Sequence, residues 1–239
     1  MPSNLSSVIS FYDQIAVCCK HVEASAGGTV KPDEIIVVND GGDPALLSAL
    51  KELGIPLTYA RITVDIPWNT NGAENLGIFL ASTKYISIED TDHLPYPDFY
   101  EKALELIPTC DRVLAKNRTL VMKADYKPYR SAGGHCIVGV YTREILGRMK
   151  GFDERFGGHY GWNGADVKRR LAKLGCRTEH ASGFYMVTDG RSLEGKRPMI
   201  GTKPKMEKEN GGQLIRNRRE GGQVEHPILN FSYTYERVV

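Results

Sequence analysis

Apolar and polar positions alternate in two rhythms along the first half of the chain. Leu5 to Tyr12 is a short apolar stretch interrupted by serines, and it predicts a strand. Gln14 to Ala24 carries apolar residues at helical spacing. Glu34 to Asp40 is a β-branched run that ends in Asn39-Asp40 and then Gly41-Gly42, the pattern of a buried parallel strand running into a turn. Pro44 to Leu53 predicts a helix, with Asp43 at its N-cap, Pro44 at its first position and Gly54 closing it. Leu57 to Val64 predicts a third strand and Asn71 to Ala81 a helix. Tyr85 to Ile88 predicts a fourth strand, which ends on Glu89-Asp90-Thr91-Asp92, and Asp98 to Leu106 is helical. This alternation predicts an α/β fold: a mostly parallel sheet with helices on both faces.

Beyond about residue 110 the rhythm is less regular. Arg112 to Ala115 and His135 to Tyr141 predict strands; Thr142 to Met149 and Asp166 to Leu174 predict helices, the second stopped by Gly175. His135 and Cys136 precede an apolar strand and read as packed side chains. From Gly190 onward Gly, Pro, Lys and Arg dominate, which predicts loops or partial disorder. The chain thus divides into one domain over residues 1–190 and a basic, Gly-rich segment over 191–239.

Composition adds bounds. The 239 residues are 41% hydrophobic and 25% charged with a formal net charge of +2, as in an ordinary globular chain with one sizeable core. Five cysteines without a CxxC pair argue against a disulfide framework or a zinc site and fit reduced thiols in a cytoplasmic protein. No signal-peptide pattern and no apolar run long enough for a membrane span are present. From Arg191 to Arg219 there are nine cationic side chains and few acids. They read as a solvated tail, as a lid over a diphosphate, or as a contact for a polyanion such as nucleic acid or an anionic membrane surface.

Two strand ends are acidic: Asn39-Asp40 and Asp90-Thr91-Asp92. In open α/β sheets ligands sit at the carboxyl ends of the strands. An Asp-x-Asp pair delivered there offers hard oxygen ligands to Mg²⁺ or Mn²⁺, which retain open positions for phosphate oxygens. Neither a GxGxxG nor a GxxxxGK[ST] spacing is present, which disfavours a dinucleotide fold and a P-loop.

Four blocks in order carry a resemblance. Ser7 to Tyr12 is followed by Asp33 to Gly42. Trp68-Asn69 and Ala73-Glu74-Asn75-Leu76-Gly77 run into Ile86 to Pro95. Gly151-Phe152-Asp153-Glu154-Arg155-Phe156 forms the third block. Tyr160-Gly161-Trp162-Asn163-Gly164-Ala165-Asp166, leading to Arg170-Leu171, forms the fourth. The chain resembles the GT-A-fold glycosyltransferases, in particular inverting enzymes of the family-two type and the C-terminal motif of the β4-galactosyltransferases.

The resemblance implies a metal-dependent transfer of a sugar from a nucleotide sugar, UDP-linked in the first instance, to a hydroxyl of a glycan or other acceptor. It implies donor contacts from Phe11, Tyr12, Asp40, Asn75, Asp90 and Asp92, and acceptor contacts from Tyr160 and Trp162. Mn²⁺ or Mg²⁺ would be held by Asp90 and Asp92, with Asp189 where the galactosyltransferases place a histidine. Asp166 falls at the position of the catalytic base. The family shows Glu-Asp after Gly-Trp-Gly-Gly, whereas this chain has Ala165-Asp166. A retaining outcome, a sugar nucleotidyltransferase and a non-catalytic nucleotide-sugar or glycan-binding module are the alternatives.

Overall fold

The computed structural model describes residues 2–188, 203–219 and 229–238. In chain order the first half comprises β1 (Leu5–Phe11), α1 (Ile15–Gly27), β2 (Glu34–Asp40), α2 (Leu46–Glu52), β3 (Leu57–Ile62), α3 (Thr70–Leu80), β4 (Tyr85–Asp90), β5 (His93–Pro95) and α4 (Phe99–Leu106). The second half comprises β6 (Arg112–Ala115), β7 (Asn117–Met122), β8 (Pro128–Gly133), β9 (Gly139–Thr142), α5 (Arg143–Arg148), α6 (Asn163–Lys173), β10 (Thr178–Ala181), β11 (Phe184–Thr188), α7 (Lys203–Arg219) and β12 (Tyr233–Val238).

Eight strands form the main sheet in the order β10-β6-β9-β4-β1-β2-β3-β12. The strands β4, β1, β2 and β3 run parallel, and β9 and β12 lie antiparallel to their neighbours. Strand order reverses at β1, between β2 and β4, so the carboxyl ends of these three strands frame a crevice. A second sheet, β5-β11-β7-β8, stands beside that crevice.

Period-two alternation explains why both faces of the main sheet are dry. Val8, Ile36, Val38, Ile86 and Ile88 face a core completed by α3, α5 and α6, while Ile9, Phe11, Ile35 and Val37 face α1 and α2. Gly77 lets α3 lie directly on β1, since a Cβ there would sit 2.1 Å from Val8 Cγ1. Among the described residues no helix is long and apolar enough to cross a membrane. All five cysteines are free.

The α/β expectation agrees with the main sheet, but the second sheet departs from the sequence pattern. Its strands are short, and β8 is mostly exposed, so neither apolar alternation nor length marks them. The segment after Gly190 also departs. Residues 203–219 form α7 and residues 233–238 form β12, which pairs with β3 along six residues. Two adjacent glycines and a proline give α7 poor intrinsic propensity, but Asn210, Gln213, Leu214 and Asn217 are buried against the body of the fold. Packing decides such a helix, not propensity.

Candidate functional site

The Asp90-Thr91-Asp92 turn is fixed from three sides. Asp90 lies opposite Ser10 in the parallel register of β1 and β4, and Thr91 Oγ1 donates to the Ser10 carbonyl at 2.5 Å. The Asp92 carbonyl accepts the Val187 backbone N–H at 2.8 Å, which ties the turn to the second sheet. Behind it, His21 Nδ1 donates to the Thr91 carbonyl at 3.1 Å, since a carbonyl can only accept. His21 Nε2 lies 2.6 Å from Glu89 Oε2, and both residues are buried.

The ligand atoms of Asp90, Asp92 and His93 all lie within 4.8 Å of one another. His93 Nδ1 is 2.7 Å from Asp92 Oδ1 and 3.8 Å from Asp90 Oδ2. Burial opposes ionisation of Asp92, but the charge and hydrogen bond of His93 outweigh it and hold the carboxyl below its usual range. Burial likewise opposes protonation of His93, and Asp92 reverses that effect and raises it. Two carboxylates and an imidazole within one short span form a donor set that suits Mn²⁺ or Mg²⁺. The residues present therefore fit a divalent cation.

A cavity of about 590 Å³ opens over this turn. Of the residues singled out from the sequence, Tyr12, Asp90, Asp92, Tyr160 and Trp162 line it. Four do not. Phe11 is fully buried in the core beneath the strand end. Asp40 is buried as well, and its Oδ1 accepts from Asn69 Nδ2 at 3.1 Å. Asn75 staples α3 to the 151–156 loop, donating to the Phe152 carbonyl and to Glu154 Oε1, each at 2.9 Å, and accepting the Phe152 N–H at 2.8 Å. Asp166 is 1% exposed; its Oδ2 accepts from Arg170 Nε at 2.6 Å and its Oδ1 from Asn217 Nδ2 at 3.1 Å. It faces α7 instead of the cavity. Asp189 lies outside the described residues.

Other lining residues carry chemistry that the sequence pattern left unmarked. Thr70, Asn71 and Glu74 share the face of α3 that looks into the cavity. Glu74 is 2% exposed, and its Oε2 has no hydrogen-bond partner. Burial, followed by the charges of Asp90 and Asp40, pushes its carboxyl well above the usual range. His135, read as packed, instead lines the cavity with Cys136. Its Nδ1 accepts the backbone N–H groups of Ile137 and Val138 at 3.4 and 3.2 Å, which assigns the hydrogen to Nε2. Burial lowers its pKa and favours that neutral ring. Arg118 joins it on the cavity wall and reaches His93 Nε2 at 3.4 Å.

The opposite wall is the loop leading into α6. Trp162 adopts a left-handed φ of 66° and is 48% exposed, and Tyr160 packs edge-on against Trp68 with ring centroids 4.7 Å apart. Gly164 lets this loop press on Cys136, whose Sγ would lie 2.5 Å from an added Cβ. From α7, Asn210 Nδ2 donates to the carbonyls of His159 and Gly161, both at 2.9 Å. Glu209 Oε2 meets His159 Nε2 at 2.9 Å, and His159 Nδ1 is buried without a hydrogen-bond partner.

Three comparisons bear on this arrangement. A solved mannosyltransferase, PcManGT from Pyrobaculum calidifontis in complex with GDP-Man and Mn²⁺, superposes with a TM-score of 0.61 at 16% identity, over 80% of this chain and 58% of that one. S. aureus TarS (residues 1–349) superposes with a TM-score of 0.58 at 12% identity, over 78% of this chain and 60% of that one. The chain therefore spans less than two thirds of the length of these solved structures, and the likeness concerns the fold. YwdF of Bacillus subtilis (strain 168), an uncharacterized glycosyltransferase, is 26% identical over 253 residues, covering 97% of this chain and 89% of that protein. The family model of glycosyl transferase family 2 matches residues 6–159, more than half of the chain, including β1, the cation cluster and the floor of the cavity. The chain, a GT-A-fold glycosyltransferase, belongs to glycosyl transferase family 2.

Proposed function

We propose that the protein moves a sugar from a nucleoside-diphosphate sugar to an acceptor hydroxyl with the help of a divalent cation. The grouping of Asp90, Asp92 and His93 on the floor of the cavity, at the ends of β4 and β1, carries the reading. A bound Mn²⁺ or Mg²⁺ would neutralise charge on the departing diphosphate. Asp90 and Asp92 would hold the cation, with His93 keeping Asp92 ionised and aimed. Arg118 and the Nε2–H of His135 are placed to donate to phosphate oxygens on the same wall. The resemblance favours a UDP-sugar, and the mannosyltransferase solved with GDP-Man makes GDP-mannose the other donor to try.

On the far wall, the exposed indole of Trp162 offers an apolar face for an acceptor sugar. Inversion needs a base on that side. The arrangement supports His159, because Glu209 holds its Nε2 hydrogen and leaves Nδ1 to accept a proton. Asp166 would be free for that role only after losing Arg170 and Asn217. Arg155, Lys208 and Arg216 line an adjoining groove together with Glu209, and Arg155 is paired with Asp153; the remaining cations favour an acceptor that carries negative charge.

The test is donor turnover by the purified protein. Nucleoside diphosphate should be released from a UDP- or GDP-sugar in the presence of Mn²⁺, and excess EDTA should stop it. Asp92→Asn should lower turnover by about a hundredfold or more. Full activity in EDTA would remove the cation, pyrophosphate release from a nucleoside triphosphate and a sugar 1-phosphate would indicate a nucleotidyltransferase, and no turnover of any donor would indicate a binding module.

A further inference from the structure

We propose that Glu74 is a specificity-determining residue, whose carboxyl hydrogen-bonds a hydroxyl of the sugar carried by the nucleoside-diphosphate donor. The inference rests on the glycosyl-transfer reading above and deepens it.

Position comes first. Glu74 lies on the cavity-facing side of α3 with Thr70 and Asn71. On one side stands Asp90, close enough for its charge to act on Glu74. On the other, Asn71 Oδ1 accepts from Asn163 Nδ2 of the acceptor loop at 3.2 Å. Glu74 therefore sits between the place of the diphosphate and the place of the acceptor. In any direct transfer the moving sugar must occupy that interval.

Energetics point the same way. A buried carboxyl oxygen without a partner destabilises a fold, and native structures rarely tolerate one without a use. The neighbours Ala73 and Leu76 face the core, whereas Glu74 faces the cavity with its carboxyl oxygen unpartnered. Glu74 also stands outside the group of Asp90, Asp92 and His93 that could hold a cation. A carboxyl group offers acceptor oxygens, and a donor as well when protonated. A sugar hydroxyl offers the same pair. A lysine or arginine would present donors only.

The experiment compares wild type with Glu74→Gln and Glu74→Leu, all with Mn²⁺. The donor pairs are GDP-mannose against GDP-glucose and UDP-glucose against UDP-galactose, each differing in the configuration of one hydroxyl. Release of nucleoside diphosphate gives kcat/KM for each donor. Calorimetric titration gives Kd for free GDP and UDP, and thermal unfolding gives Tm. Glu74→Leu should shrink the discrimination within the preferred pair by about tenfold or more, with Kd for the free nucleoside diphosphate within about twofold of wild type. Its Tm should rise. Glu74→Gln, which keeps a donor and an acceptor, should retain most of the discrimination.

Unchanged discrimination in Glu74→Leu, with the wild type active, overturns the role of Glu74 and leaves glycosyl transfer standing. Loss of nucleoside-diphosphate affinity equal to the loss of donor affinity also overturns it. A fall in Tm for both variants with discrimination intact assigns Glu74 to the scaffold and overturns it. A wild type that neither binds UDP or GDP nor turns over any donor sinks the glycosyl-transfer reading, and this inference with it.

Discussion

At the scale of single residues, the position that the family pattern gives to the base and the side chain proposed above for that role make opposite predictions. Asp166 occupies the position that the family pattern gives to the base, yet it is sealed under α7 and accepts from two arginines and an asparagine. Asp166→Asn should therefore act first on stability. It removes the only carboxylate that pairs with the 7%-exposed Arg170 among the described residues, at a cost of about 3 kcal/mol and a fall in Tm of several degrees. Differential scanning calorimetry checks this, and an unchanged Tm with lost turnover would restore Asp166 as the base. His159→Gln should behave in the opposite way. Its Tm should stay near wild type, since the ring is partly exposed, while turnover falls by about a hundredfold and donor affinity survives. Single-turnover kinetics beside donor titration separate the two effects.

At the scale of elements, the turn that carries Asp90 and Asp92, the proposed cation ligands, depends on a buried network linking α1, β1, β4 and α4. Glu89 Oε2 accepts from Ser7 Oγ at 3.1 Å and meets His21 at 2.6 Å, while its Oε1 accepts from Tyr100 Oη at 2.7 Å and from Ser87 Oγ. His21 then reaches forward to the Thr91 carbonyl. His21→Leu removes the donor to that carbonyl and a hydrogen-bond partner of Glu89. It should raise the Mn²⁺ concentration for half-maximal turnover about tenfold, more than it lowers the rate at saturating Mn²⁺. A Mn²⁺ titration of turnover reads both numbers. The elements of this network were legible in the sequence because long apolar runs and strand-end acids leave strong periodic signals. His21 was not, because a lone histidine on a helical face carries no pattern until the strand beneath it is placed. Glu74 was hidden for a similar reason: it sits inside a recognised block, and only the orphaned oxygen in the cavity sets it apart. The strands of the second sheet were illegible because they are short and bury little apolar surface of their own.

At the scale of the whole molecule, the C-terminal part closes the structure in two places that the composition of residues 191–239 conceals. Strand β12 covers the outer edge of β3 and becomes the edge strand of the sheet in its place. Helix α7 is bolted to the acceptor side through Asn217, whose Nδ2 donates to Asp153 Oδ2 at 2.8 Å as well as to Asp166. Asp153 also takes a two-pronged contact from Arg155, at 2.9 and 2.8 Å. Burial opposes ionisation of Asp153, but these hydrogen bonds and the charge of Arg155 outweigh it and lower its pKa in the folded protein. The consequence for pH follows from that direction. A carboxyl whose folded pKa is depressed contributes stability above its unfolded value of about 3.9, and that contribution is lost as pH falls through the folded value. The docking of α7 should thus hold across neutral and mildly acidic pH and loosen below about pH 4. Urea unfolding from pH 7 down to pH 3 should show wild type losing stability in that lower window, with Asp153→Asn less stable at pH 7 and flatter below pH 4. Parallel curves for the two proteins would show that Asp153 does not hold α7. Because Asn210 and Glu209 ride on the same helix and touch the loop proposed to bind the acceptor, the variant should also weaken acceptor use more than donor hydrolysis.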